Sequence, residues 1–198
     1  MAERTLIVMV KEPRPGRVKT RLGREIGMGA AAWWYRHQCL RLIRRLRDPR
    51  WRIVLAVAPD QALSEPFWPS DLLRVPQGAG DLGQRMARAL GRARGPVCLV
   101  GSDIPGLDRR HIARAFEALQ GRDAVFGPAA DGGYWLVGLR RGGLARAGMF
   151  GPVRWSSPHA LADSRAALAG WRIALADRLA DVDTAADLGA LAHRDFCR

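Results

Sequence analysis

The sequence predicts one α/β domain in three layers, spanning 1–198, with a mostly parallel central sheet covered by helices on both faces. Three observations carry this expectation. Thr5 to Val10 (TLIVMV) is a continuous apolar run, the pattern of a strand buried on both faces. Strand-like and helix-like segments then alternate along the chain, which is the order that builds parallel βαβ units. No repeat or low-complexity linker interrupts them, and 198 residues suffice for a single core that hides roughly 70% of the unfolded surface.

Taken in order, the first strand is followed by a proline-rich loop, KEPRPGRVKTRLG, over residues 11–23. Apolar residues at helical spacing with arginines opposite them predict an amphipathic helix from Gly29 to Leu46, closed near Asp48-Pro49. Arg52 to Ala58 reads as the second strand, and a Pro- and Ser-rich stretch holds a short helix and a short strand at Leu73 to Val75. A glycine-rich loop from Gln77 enters the next helix, and Pro96 to Val100 forms a long strand. Asp108 suits the N-cap of a helix that runs to Leu119. Asp123 to Gly127 and Tyr134 to Leu139 are strands joined at Asp131-Gly132-Gly133, Ser157 to Leu168 is a helix, Ile173 to Leu175 a short strand, and a last helix follows Asp183 or Thr184.

Composition narrows the partners. Cys39, Cys98 and Cys197 are odd in number and widely spaced, so neither a disulfide framework nor a zinc site is implied, and Cys98 inside an apolar run reads as core. The apolar run before Lys11 is too short for a signal segment or a membrane span, so a cytoplasmic protein is expected. A formal net charge of +13 suits a phosphate-bearing partner. It comes almost wholly from scattered arginines without a nucleic-acid reading motif, so a nucleotide accounts for it better than DNA or RNA. Trp33, Trp34 and Tyr35 succeed one another on a helix and cannot all face one core, which leaves at least one for a subunit contact and makes a homodimer an expectation.

In a parallel sheet, ligands bind beyond the carboxyl ends of the strands, so the loops leaving those ends carry the information. The first combines Lys11, Lys19 and Arg21 with Gly16, whose freedom at positive φ permits a turn, and reads either as a phosphate grip or as a solvated basic turn. The second supplies Gly78, Gly80 and Asp81, where glycines allow close approach of a nucleotide or simply a tight connection, and Asp81 could cap the helix. In the third, Asp103 ends a buried strand, where an acid is costly unless paired or metal-bound, and its hard oxygens suit Mg2+ or Mn2+ beside a diphosphate. The fourth, Asp131, Gly132, Gly133 and Tyr134, has hairpin chemistry but could also hold an acceptor, with Asp131 taking its proton. The fifth places Asp181 and Asp183 before the last helix on alternating sides, so only one faces a metal.

As a set, KEPRPGRVKTRL, QGAGDLGQRM, GSDIPGL, GPAADGGYWLVGL, RWSSP and DVDTAADL resemble the bacterial rSAM/selenodomain-associated or arsenosugar-biosynthesis transferases, in order and over nearly the whole chain. The resemblance implies a GT-A-like, Rossmann-like fold of the nucleotide-diphospho-sugar transferase superfamily. It implies that Lys11, Gly16, Lys19 and Arg21 form the nucleotide-phosphate loop. Asp103 stands where the last acid of a DxD motif would be, with Gly101 in place of the first, and Asp183 would be the second metal ligand. Asp131 and Tyr134 would line the acceptor side, while Trp155 and Ser156 match a WS pair to which no role attaches. The function implied is transfer of a sugar from a nucleotide-diphospho-sugar to a small acceptor with Mg2+ or Mn2+. Nucleotidyl transfer from an NTP to a phosphorylated acceptor is the alternative, and a non-catalytic nucleotide or RNA binder is the third reading.

Overall fold

Alternating side chains divide the central sheet between two apolar cores in the computed structural model, which describes residues 3–146, 148–180, 182, 184 and 186–189. On strand β1 (Thr5–Lys11), Leu6, Val8 and Val10 enter one core and Ile7 the other. The first core is closed by helices α2 (Met28–Arg45) and α4 (Arg109–Ala118) through Tyr35, Cys39, Leu42, Ile112 and Phe116. The second is closed by α3 (Leu82–Gly91) through Met86 and Leu90, and by Leu168 just beyond α5 (Ala160–Ala167). This is the three-layer arrangement expected from the sequence.

The sheet has seven strands in the order β3-β2-β1-β4-β6-β5-β7. β2 (Arg52–Ala58), β3 (Leu73–Pro76) and β4 (Val97–Val100) run parallel with β1, and β7 (Ile173–Leu175) is parallel to β5 (Ala124–Pro128). β6 (Tyr134–Leu139) is antiparallel to both β4 and β5. The cause is local: Asp131 accepts the Gly133 N–H and Gly132 takes φ +86°, so β5 turns straight back where a parallel partner would need a crossover. Six strands therefore end at one edge, together with the start of β6. The chain leaves β1 toward β2 on one side and reaches β4 on the other, which opens a crevice at that edge.

One helix was not expected. The end of the loop expected over residues 11–23, with the three residues after it, forms α1 (Thr20–Ile26), which Gly27 at φ +93° separates from α2. Gly23 makes this possible, because an added Cβ there would run into the Met28 side chain. Close packing of α1 on α2 thus overrides the helix-weakening propensity of glycine. In the other direction, α5 begins three residues later than expected, after Ser156 at φ 57°. Of the aromatic triplet, Tyr35 is buried, Trp34 half-buried and Trp33 65% exposed, as helical geometry requires. Among the described residues no helix is long and apolar enough to cross a membrane.

Phe116 is 1% exposed and packs its ring 5.7 Å from Trp51. Phe116→Ala is expected to cost about 3–5 kcal/mol in urea unfolding, as cavity-forming aromatic truncations do. A loss below about 1 kcal/mol would show that α4 is not the cover of the first core.

Candidate functional site

A cleft of about 980 Å³ lies along the carboxyl edge of the sheet. Its middle is built where β1 and β4 end side by side. The Lys11 N–H donates to the Tyr35 hydroxyl at 2.9 Å, and that hydroxyl lies 2.7 Å from Ser102 Oγ. Tyr35 sits on α2, so one buried side chain fastens the exits of β1 and β4 to the same helix. Burial pushes the Tyr35 phenol well above its ordinary pKa and the neighbouring Cys39 thiol up to about 12, so both are neutral and inert at physiological pH.

Farther along the first loop, Lys19 takes a left-handed conformation, φ 46° and ψ 47°, and sends its ammonium to Asp103 Oδ2 at 2.7 Å. The Lys19 side chain is 6% exposed while that of Asp103 is 34% exposed. An ammonium removed from water needs an anion beside it, so the pairing fixes the loop, and the strained backbone is tolerated because the pair over-determines it. Asp103 Oδ1 lies over Gly101, close enough that an added Cβ would be 3.1 Å from it.

At the β3 end, Gln77 is 2% exposed and donates through Nε2 to the carbonyls of Val10 (3.0 Å) and Ala56 (2.8 Å). Its Oε1 accepts from Arg85 Nη1 at 3.3 Å, so Gln77 ties β1 and β2 to a cation facing the cleft. Gly78 at φ +73° and Gly80 at φ +106° bend the backbone beneath Arg88, which donates to the carbonyls of Gln77 and Ala79. Asp81 accepts the Gln84 N–H at 2.8 Å and Gln84 returns a bond to the Asp81 N–H, a complete capping box on α3.

The far wall comes from β5, β6 and the segment before α5. Asp131 is exposed in the cleft, its Oδ1 accepting from Gly133 at 2.9 Å. The Tyr134 hydroxyl accepts from the buried Ser164 at 3.2 Å, and burial raises its pKa well above the phenol range, so it stays protonated, while the half-buried residue borders the cleft. Trp155 stands beside it, with ring centroids 6.4 Å apart.

Of the residues expected in the site, Lys11, Lys19, Arg21, Asp81, Asp103, Asp131, Gly133 and Tyr134 line this one cleft. Gly16, Gly78, Gly80 and Gly132 shape the loops without lining it; Gly16 is exposed, with nothing within 4 Å of an added Cβ. Asp183 lies outside the described residues. Tyr35, Gln77, Arg85 and Ser102 also line the cleft and were not singled out. The aromatic triplet left open which of its three side chains is buried, and nothing in the sequence announced where the Tyr35 hydroxyl would go.

Lys11, Arg17, Lys19, Arg21 and Arg85 face Asp81, Asp103 and Asp131 across the cleft, an excess of cations suited to phosphate. Among the described residues no three His, Cys, Asp or Glu side chains gather to hold a metal. Among the described residues the carboxylate at the β4 exit is Asp103, a hard donor that fits Mg2+ or Mn2+ when phosphate oxygens and water complete the shell.

Residues 41–157 match the model of DUF2064, a family of uncharacterized proteins conserved in bacteria. A crystal structure of a protein from Desulfovibrio desulfuricans G20, assigned as a nucleotide-diphospho-sugar transferase, is 30% identical with a TM-score of 0.84, over 96% of this chain and 87% of that one. A nucleotidyl transferase from Methanothermobacter thermautotrophicus is 16% identical with a TM-score of 0.60, over 96% and 95% of the two chains. Rv0371c from Mycobacterium tuberculosis, solved as a complex with manganese, is 16% identical with a TM-score of 0.54, over 96% and 97%. No curated protein matches. The likenesses bear out the GT-A-like fold and the superfamily expected from the motif set.

Tyr35→Phe is expected to cost about 1–2 kcal/mol in chemical denaturation, because it removes the acceptor of a part-buried N–H and a partner of buried Ser102. A change within a few tenths would break the link between the two strand exits. The Arg154 guanidinium, hydrogen-bonded to Asp163, holds that carboxyl well below its usual range. A depressed carboxylate stabilises above its unfolded pKa of about 3.9 and loses that contribution as pH falls through its folded value. Asp163→Asn should therefore lower Tm at pH 7, with the gap to wild type closing in acid below about pH 4; a pH-independent gap would contradict the pairing.

Proposed function

The chain belongs to the DUF2064 family of bacterial proteins, and from that premise we propose that its cleft is the active site of a nucleotide-dependent transferase, a glycosyltransferase using a nucleotide-diphospho-sugar. The observation that carries this reading is the buried Lys19 ammonium on Asp103, set among four further cations at the carboxyl edge. In it, Lys11, Arg17, Lys19 and Arg21 take the diphosphate, and the loop of Gln77, Gly78, Gly80 and Asp81 with Arg85 borders the nucleoside. A diphosphate would lie beside the Lys19–Asp103 pair, and Asp103 with Asp183 would hold Mg2+ or Mn2+. A bound cation would supply charge neutralisation on the departing diphosphate.

At the far wall, Gly132 and Gly133 keep the turn tight, and Tyr134 and Asp131 border the acceptor. Asp131 takes the proton of the acceptor hydroxyl as its oxygen bonds to the anomeric carbon. The bond from that carbon to the phosphate oxygen breaks, and the nucleoside diphosphate leaves with the electron pair. The finer membership, in the arsenosugar-biosynthesis type, is part of this proposal. Nucleotidyl transfer is the second reading, favoured by the five cations and by the likeness to the Methanothermobacter nucleotidyl transferase. There an acceptor phosphate oxygen attacks the α-phosphorus of an NTP and pyrophosphate leaves.

Incubation with nucleotide sugars or NTPs and candidate acceptors separates the two by leaving group. Release of a nucleoside diphosphate supports glycosyl transfer, whereas release of pyrophosphate replaces it with the second reading. Asp103→Asn should keep the α/β fold at reduced stability, since it takes a carboxylate from the buried Lys19 ammonium, and lose at least about 100-fold in turnover, ~2.7 kcal/mol of transition-state stabilisation; undiminished turnover removes Asp103 from the mechanism. Lys19→Ala should weaken nucleotide binding in calorimetric titration by more than the ~1 kcal/mol of an exposed ion pair. A smaller effect returns the loop to a solvated turn.

A further inference from the structure

Trp155 to Pro158, within the RWSSP segment that begins at Arg154, line the cleft, yet the transfer chemistry above uses none of them. The segment is clamped from two sides. Asp163 on α5 accepts from the Arg154 backbone N–H at 3.0 Å and from Nε and Nη2 at 2.9 Å, and Ser157 Oγ donates to the Arg154 carbonyl at 2.6 Å. On the other side, Pro158 fills the space that the absent side chain of Gly132 leaves, so an added Cβ there would strike its carbonyl. Between these clamps Ser156 is held at φ 57°, a conformation that side chains rarely adopt and that clusters at ligand-binding sites.

This backbone sets Trp155 against the start of α3, where an added Cβ on Gly83 would lie 2.7 Å from the indole. The indole stays half-buried and meets the Tyr134 ring at 65°, forming an aromatic corner beside exposed Asp131, with Ser156 at its rim. Tyr134 is itself fixed, by Ser164 on its hydroxyl and by Phe126 edge-on at 4.9 Å.

We propose that this corner is a sugar-ring site, with Trp155 receiving the C–H face of the ring and Asp131 and Ser156 facing its hydroxyls. A sugar ring presents polarised C–H bonds on one face, which suit the negative face of an indole, and hydroxyls at its rim, which need convergent polar partners. Four of the five cleft cations, Lys11, Arg17, Lys19 and Arg21, come from the end of β1, the loop after it and α1, and Arg85 from α3, whereas the polar groups of Trp155's own segment and of the β5–β6 turn in this corner are serines and a carboxylate, a poor seat for phosphate and a good one for hydroxyls. The inference rests on the transferase reading only for which substrate carries the ring, the donor or the acceptor.

Saturation-transfer NMR of the full chain with methyl glucoside and methyl riboside tests it without turnover. Saturation of the protons on one ring face is expected in wild type, kept in Trp155→Phe and reduced at least fivefold in Trp155→Ala. Trp155→Leu, which keeps an apolar filling should the alanine variant fail to fold, is expected to show the same loss. Displacement of the glycoside by a nucleotide sugar, but not by the matching nucleoside diphosphate, marks the ring as the donor's; no displacement by either marks it as the acceptor's. Equal saturation in all variants, or no saturation in wild type, would overturn the site. Thermal shifts with nucleoside diphosphates, recorded in parallel, report on the transferase reading separately, so failure of either is recognised on its own.

Discussion

A lysine ammonium almost fully withdrawn from water on an aspartate at the end of a buried strand is the constraint around which the cleft is arranged. The ammonium is costly there without an anion, while the carboxylate keeps a third of its surface in water, and their contact holds the loop after β1 over the exit of β4. Lys19 accepts a left-handed backbone to complete the contact, and α1 begins immediately after it. One ion pair thereby turns a flexible basic loop and a strand-end acid into a single surface that presents cations on one side and a carboxylate on the other.

Neutral hydrogen bonds hold that surface to the scaffold. Tyr35 grips the exits of β1 and β4 from α2, and Gln77 grips those of β1 and β2 from the loop after β3. Both side chains are buried and satisfied, so the loops they anchor have little freedom to rearrange when a ligand arrives. The far wall obtains its rigidity differently, from the β5–β6 turn packed against Pro158 and from the Arg154–Asp163 clamp. A cleft assembled from independently fixed walls is suited to holding two substrates in a defined relation.

Periodicity made most of the fold legible. Continuous apolar runs marked β1, β2 and β4, and Asp108 announced the start of α4 by capping it as expected. α1 escaped because Gly23 weakens the local helical pattern, and its value, close contact with Met28, is tertiary. In the site, loops at strand ends pointed to Lys11, Lys19, Asp103 and Asp131, since topology alone makes that edge the binding edge. Tyr35, Gln77 and Ser102 were not legible, because their significance is a hydrogen-bond partner 67 residues away from Tyr35 and Gln77 alike, which no local pattern encodes. Asp81 shows the converse: its capping box is the local reading of the sequence, and its place in the cleft is the distant one.

The central claim is that nucleotide phosphates bind at the carboxyl edge over the Lys19–Asp103 pair. Backbone amide chemical shifts, followed during titration with nucleoside diphosphates and Mg2+, test it most directly. The account predicts that perturbations concentrate in residues 11–21, 77–85 and 101–104, where three loops from separate parts of the chain converge on one ligand. Perturbations gathered instead at the opposite edge of the sheet, or spread over the arginine-rich helix faces, would contradict it.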